Sequence, residues 1–119
     1  MALLRTNDVQ TGVTTAAAQN LKAGSYPCGT AGGAIWFRAV CLAQDNVTLT
    51  NITATEIACL VLPGAAPIIM GATVVIAAQQ GPNPPGAFSF VFTGTNLQVN
   101  FSNVNATNVT LQVTLYASE

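Results

Sequence analysis

Apolar residues recur at every second position along much of the chain, and this spacing restricts the folds that the chain can adopt. Segment 109–116, VTLQVTLY, alternates apolar and polar side chains without interruption. Segments 46–53, 87–94 and 97–102 repeat the pattern, with three phenylalanines in phase in the second of them. Such alternation places the apolar side chains on one face of an extended strand. The sequence therefore predicts β-strands that each have one buried face.

Other segments are apolar at consecutive positions. Segment 33–43, GAIWFRAVCLA, is interrupted only by Arg38, as expected for a central strand that is buried on both sides. Segments 56–62 and 68–78 complete the set, and we expect the last one to bend at Gly71. Clusters of Gly, Pro and Asn separate these runs, so seven or eight short strands are predicted, in an antiparallel β-sandwich or jelly roll.

The size of the chain predicts a single domain, because 119 residues can bury one core. Residues 1–20 are small and polar, and we expect an N-terminal arm or edge strand that orders against a neighbour. Residues 21–119 are expected to form the β-sandwich. Segment 14–24, TTAAAQNLKAG, could hold a short helix. The start of the chain, MALLRTNDVQTG, lacks the hydrophobic region of a secretory signal, which favours a protein made and kept in the cytosol.

Charge is scarce: three basic and four acidic residues make up 6% of the chain, against about 25% in an average protein. No charged residue lies between Ile57 and Ser118. Disorder is not expected, because half of the residues are hydrophobic and the net charge is only −1. A membrane helix over 58–78 is not expected either, because prolines and glycines lie near its centre. The interpretation that remains is assembly, with uncharged surface buried between subunits.

The residues needed for catalysis and metal binding are few. There is no histidine, so the commonest general base is missing, and no catalytic, cofactor-binding or metal-binding residue is predicted. Asp45 and Glu56 could approach one another as an acid pair, but surface or turn positions near Arg38 are favoured. Three basic residues are too few to neutralise many phosphates, so nucleic acid is not expected as a partner. The chain is not expected to be an enzyme.

Cysteine and aromatic residues have plain structural interpretations. Buried free thiols are favoured for Cys28, Cys41 and Cys59, and a disulfide between Cys28 and Cys41 is the alternative. Arg38 is expected to pair with a carboxylate or a carbonyl group. The aromatic residues of the strands are expected in the core, with stacking on sugars or bases as the alternative. The aromatic positions concerned are Tyr26, Trp36 and Tyr116.

Two further motifs have structural explanations. The glycine-rich segment 28–34, CGTAGGA, matches no phosphate-binding pattern and is interpreted as a loop or tight turn. Five N-glycosylation sequons are interpreted as by-products of an alternation that uses Asn and Thr as its main polar residues. They begin at Asn46, Asn51, Asn100, Asn105 and Asn108.

In overall character the chain resembles virion structural proteins of tailed bacteriophages, especially small head-decoration or cement proteins. The resemblance rests on the polar start MALLRTNDVQTGVTTAAAQN, the body rich in Ala, Gly and Thr, and the ending LYASE. It implies a homo-oligomer, with a trimer favoured, that binds the outer capsid surface and bridges neighbouring major capsid proteins after assembly in the host cytoplasm. A terminal arm commonly makes such a bridge, which points to the contact candidates Leu3, Leu4, Arg5, Asp8, Val9 and Val13.

Three alternatives remain open. The first is a tail-fibre, baseplate or other host-contact module that binds glycans, through Trp36 or Tyr26. The second is a secreted adhesin or pilus-like subunit, which needs an export signal. The third is an enzyme that depends on Asp45 or Glu56.

Overall fold

The computed structural model describes residues 3–12, 19–103 and 108–118, with side chains described from residue 21 onward. This part of the chain contains eight β-strands and no helix. The strands are β1 (Leu3–Gly12), β2 (Gln19–Pro27), β3 (Ile35–Asp45), β4 (Ile52–Leu62), β5 (Ile68–Gln80), β6 (Gly86–Thr93), β7 (Asn96–Asn103) and β8 (Val109–Ser118).

The strands form two antiparallel sheets. The large sheet has the order β1-β8-β3-β4-β5, and the small sheet has the order β2-β7-β6. The pairs β1–β8, β2–β7 and β4–β5 are those of the nested hairpin that makes a jelly roll, whereas β3 pairs with β4 and β8. The predicted all-β, antiparallel sandwich is confirmed.

The core lies between the two sheets and follows the predicted alternation. Every second residue of β8 from Val109 to Ala117 is buried, as are alternate residues of β3 and β7. Phe37 at the centre of β3 is fully buried, and the Tyr26 ring meets it edge-on with ring centroids 5.1 Å apart. The three phenylalanines of β6 are partly buried and pack against this core, so the predicted faces of these strands are correct.

The predicted strand over 46–53 is wrong in its first half, because residues 46–50 form a loop. Val47 and Leu49 are 75% and 61% exposed. The cause is Asp45 at the end of β3, whose carboxylate Oδ1 accepts N–H bonds from Val47 at 2.7 Å and Thr48 at 3.1 Å. These local bonds close a turn where alternation alone predicts an extended chain.

The amino-terminal segment takes part in the large sheet. Strand β1 pairs with β8 along all ten of its residues and forms an edge of that sheet. The division of the chain at residue 20 and the bridging role of the segment remain predictions. In the segment where a short helix was considered, residues 19–24 belong to β2, and residues 14–18 lie outside the described part. Of the Asn-containing cluster between segments 97–102 and 109–116, residues 104–107 lie outside it too.

Candidate interaction surface

The two sheets differ in their number of strands, and β5 is the edge strand of the wider sheet. The small sheet has three strands against five in the large one, and its outer strand β6 contacts β4. Strand β5 is the next strand outward from β4, and among the described strands only β4 has extensive contact with it. Within β5 every residue is exposed except Ile69, which packs against the core and is partly buried.

Both faces of β5 are uncovered. Val75 pairs with Ile57, a buried core residue, and directly opposed residues of an antiparallel pair point to the same side. Val75 therefore lies on the inner face, yet it is 61% exposed. Its neighbour Val74 pairs with Ala58 and is 49% exposed. The strand thus offers hydrophobic side chains on both sides.

The edge of β5 also lacks charge and proline, two of the features that usually protect a sheet edge. No charged residue and no proline lies between Ile68 and Gln80. The β4–β5 pairing shifts register twice, so β5 bulges, and Gly71 has a φ of +77° at one of these shifts. The predicted bend at Gly71 is confirmed, because the left-handed region favours glycine.

The outer face of the large sheet continues this exposed surface. The register aligns Trp36 on β3 with Leu60 on β4, and Leu60 with Met70 on β5. Leu62 and Ile68 form the next pair on this face. We call the exposed apolar side chains of β5 and their β4 neighbours the β5 patch; it comprises Leu60, Leu62, Ile68, Met70, Val74, Val75 and Ile76.

Strand β3 is central in its sheet, as predicted, but its burial on both sides is wrong. Its inner residues are buried, whereas Trp36, Val40 and Leu42 are 44%, 44% and 37% exposed on the outer face. The large sheet has no layer outside it in the described chain. The core position expected for Trp36 is therefore also wrong, and its exposure favours the alternative in which Trp36 contacts a ligand.

Beside Trp36, an arginine lies at the centre of a small polar cluster. Arg38 Nε lies 3.3 Å from Glu56 Oε1, so the expected ion pair is confirmed. The guanidinium carbon also lies 4.7 Å from the ring centroid of Tyr116, which is half-buried on the same face. Trp36, Arg38, Tyr116 and Ser118 line a shallow cleft of about 220 Å³.

The two candidate carboxylates do not form a pair. Asp45 points inward and is 2% exposed, whereas Glu56 lies on the outer face beside Arg38. The predicted turn at Asp45 is confirmed, because its carboxylate closes the loop after β3. The predicted surface position is wrong, because Asp45 is buried. Tyr26 lies in the core as expected and cannot stack on a ligand.

The three cysteines are buried and unpaired, which confirms the free thiols. Burial raises the pKa of Cys41 to about 12, and burial raises the pKa of Cys59 to about 12 as well, with a smaller effect from Cys28. The thiols are therefore protonated at neutral pH and are poor nucleophiles. The described residues contain no group of three or more His, Cys, Asp or Glu placed to hold a metal ion. In the same ranges, no helix is long and apolar enough to cross a membrane.

The contact candidates of the amino-terminal segment lie on β1, with one exception. The backbone positions of Leu3, Leu4 and Arg5 pair with Ser118, Ala117 and Tyr116 of β8. Those of Asp8 and Val9 pair with Val113 and Gln112, and Val13 lies outside the described residues. Their contact with a capsid remains a prediction.

Two solved structures share this fold. No protein-family model and no curated protein matches the chain. The tailspike protein of Acinetobacter baumannii phage AM24 superposes with a TM-score of 0.62 at 7% identity, over 97% of this chain and 26% of that one. The tailspike protein of Acinetobacter phage vB_ApiP_P1 gives 0.52 at 13% identity, over 96% of this chain and 21% of that one. The likeness is one of fold, and this chain spans about a quarter or less of each tailspike.

Proposed function

We propose that this chain is a structural β-module of a bacteriophage tail appendage, placed where the virion contacts its host. The observation that carries the proposal is the superposition of 97% of the chain on part of the phage AM24 tailspike. This tail position is preferred to the head-decoration function, because no comparison bears on a head-decoration protein. The proposed role is binding rather than catalysis, in keeping with Asp45 and Glu56 lying on opposite faces of the large sheet.

Fractionation of virions tests this location. Particles made from a genome that carries this coding sequence are disrupted and separated into heads and tails, and the chain is quantified in each fraction by mass spectrometry. The major capsid protein and the tail-tube protein serve as fraction markers. We expect the chain to follow the tail marker. Enrichment with heads would support decoration instead, and absence from both fractions would contradict any virion role.

Glycan contact is the finer function that the outer face favours. Trp36 is 44% exposed beside the cleft that Arg38 and Tyr116 line. The apolar face of a sugar ring packs on an aromatic ring, while its hydroxyl groups can accept hydrogen bonds from the guanidinium and donate them to the Glu56 carboxylate. A partly exposed indole next to charged hydrogen-bonding groups combines both interactions at one place.

Calorimetric titration with purified surface polysaccharide of the host bacterium tests this contact. We expect saturable binding that Trp36→Ala weakens about tenfold or more, as loss of an aromatic anchor does. Leu42→Ala is the control, because Leu42 lies on the same face of β3 and is 37% exposed. Equal affinities of the two variants, or no binding by the unchanged protein, would contradict the assignment.

A further inference from the structure

We infer that a second copy of this chain covers the β5 patch. The inference goes beyond the proposed function, because it names the surface through which the chain assembles. It rests on three properties of β5 that were derived above: an open edge, two uncovered faces and a complete lack of charge.

The first argument is the amount of exposed apolar surface. The seven side chains of the patch are 36–61% exposed. A Val, Leu, Ile or Met side chain carries about 60–120 Å² of apolar surface, so the seven leave roughly 200–400 Å² in contact with water. That overlaps the range for the largest apolar patch of a monomer, about 300–600 Å², and such patches are often functional. A standard interface takes roughly 800 Å² from each partner, so the patch supplies part of such an interface.

The second argument is the open edge of β5. Its outward N–H and C=O groups face no neighbouring strand in the described part of the chain, while its other edge pairs with β4. A strand edge without charge or proline can accept another strand, so the partner is expected to offer extended backbone as well as apolar side chains. A chain whose described residues lie mostly in strands meets that requirement.

The third argument is charge, and it favours an identical partner. Strand β5 carries no charge, and the nearest ions, Arg38 and Glu56, pair with each other. Two copies can therefore meet at β5 without bringing like charges together. A lipid surface is disfavoured, because the patch has no basic residues with which to hold anionic headgroups. A partner with a charged surface would lose hydration there without compensation.

Sedimentation velocity at micromolar concentration tests the inference. The unchanged protein is expected to sediment with a mass of two or more copies of the 12.2 kDa chain. Val74→Asp places a charge in the patch and is expected to shift the mass to that of one chain. The matched control is Val47→Asp, because Val47 is 75% exposed in the loop after β3, outside the β5 patch, and undergoes the same substitution. It is expected to remain assembled.

Far-ultraviolet circular dichroism of each variant verifies that it is folded. If Val74→Asp loses its strand signal, Met70→Asp makes the same test on an exposed residue of the outer face of β5. A monomeric unchanged protein, or a folded patch variant that stays assembled, would overturn the inference. So would co-sedimentation of the unchanged protein with neutral phosphatidylcholine vesicles, since lipid would then be the occupant. None of these results depends on whether the chain is found with heads or with tails, so the fractionation experiment tests the proposed location separately.

Discussion

At the residue scale, one buried acid organises the end of a strand. Asp45 is 2% exposed, and its Oδ1 atom accepts two backbone N–H bonds from the loop that follows. A third bond, from the Asp45 N–H to the Asn51 carbonyl at 3.0 Å, closes the same loop. The sequence places an acid before Asn46, which is typical of a turn. It does not reveal that the carboxylate is buried and hydrogen-bonded to the loop.

Replacing this acid is expected to lower stability. Asp45→Ala leaves two loop N–H groups without their acceptor and is expected to reduce the free energy of unfolding by about 1–3 kcal/mol. Asp45→Asn keeps an acceptor oxygen at the same position, so its loss is expected to be smaller. Urea unfolding followed by circular dichroism measures both. Equal losses for the two variants would show that charge, rather than the acceptor, holds the loop.

The buried thiols predict a specific response to alkaline pH. Burial raises the pKa of Cys41 from 9.0 to about 12, so between these values the unfolded chain has lost a proton that the folded chain keeps. The unfolded state then binds fewer protons, and stability falls as pH rises through this window. Urea unfolding between about pH 8 and pH 11 is expected to show a shallower decline for Cys41→Ala than for the unchanged protein. Parallel declines would contradict a titrating Cys41.

At the scale of the element, the strands differ in how far the sequence predicts them. The buried faces of β7 and β8 follow from strict alternation, since only one parity is apolar. Strand β3 is apolar at both parities, so its local sequence cannot indicate which face meets the core. The outcome was set by the neighbours: Phe37 faces the small sheet, and Trp36 faces outward. The core position predicted for Trp36 was therefore wrong for a physical reason: a strand that is apolar at both parities has the same sequence pattern whether its second face is buried or exposed. Trp36 was named as a binding residue only in the alternative interpretation.

The start of β6 makes a prediction about close packing. A Cβ atom added at Gly86 would collide with the backbone carbonyl oxygen of Ser102 on β7 and press on the Phe101 ring. Gly86→Ala is therefore expected to cost about 1–3 kcal/mol, as overpacking usually does. Gly32→Ala is the control, because an added Cβ there meets nothing within 4 Å. Thermal unfolding is expected to show a lower Tm for Gly86→Ala only, and equal Tm values would contradict the close approach.

At the scale of the whole molecule, composition supports a prediction that no single strand supports. The lack of charge between Ile57 and Ser118 predicts surface buried between subunits, which remains a prediction. The structure places β5, which belongs to that region, at the edge of the large sheet beyond the strands of the small sheet. Which strand is left uncovered depends on how eight strands divide between two sheets. That division is set by long-range pairing, so it could not be derived from the segments one at a time.

The unequal sheets, with five strands in one and three in the other, also affect what a thermal unfolding experiment measures. A sandwich that covers its own strands unfolds at one temperature whatever its dilution. If a second copy completes this one, every unfolding event also separates partners, and mass action then raises the Tm as the protein concentration rises. The thermal stability of this protein would then depend on its concentration as well as on the sequence of the chain.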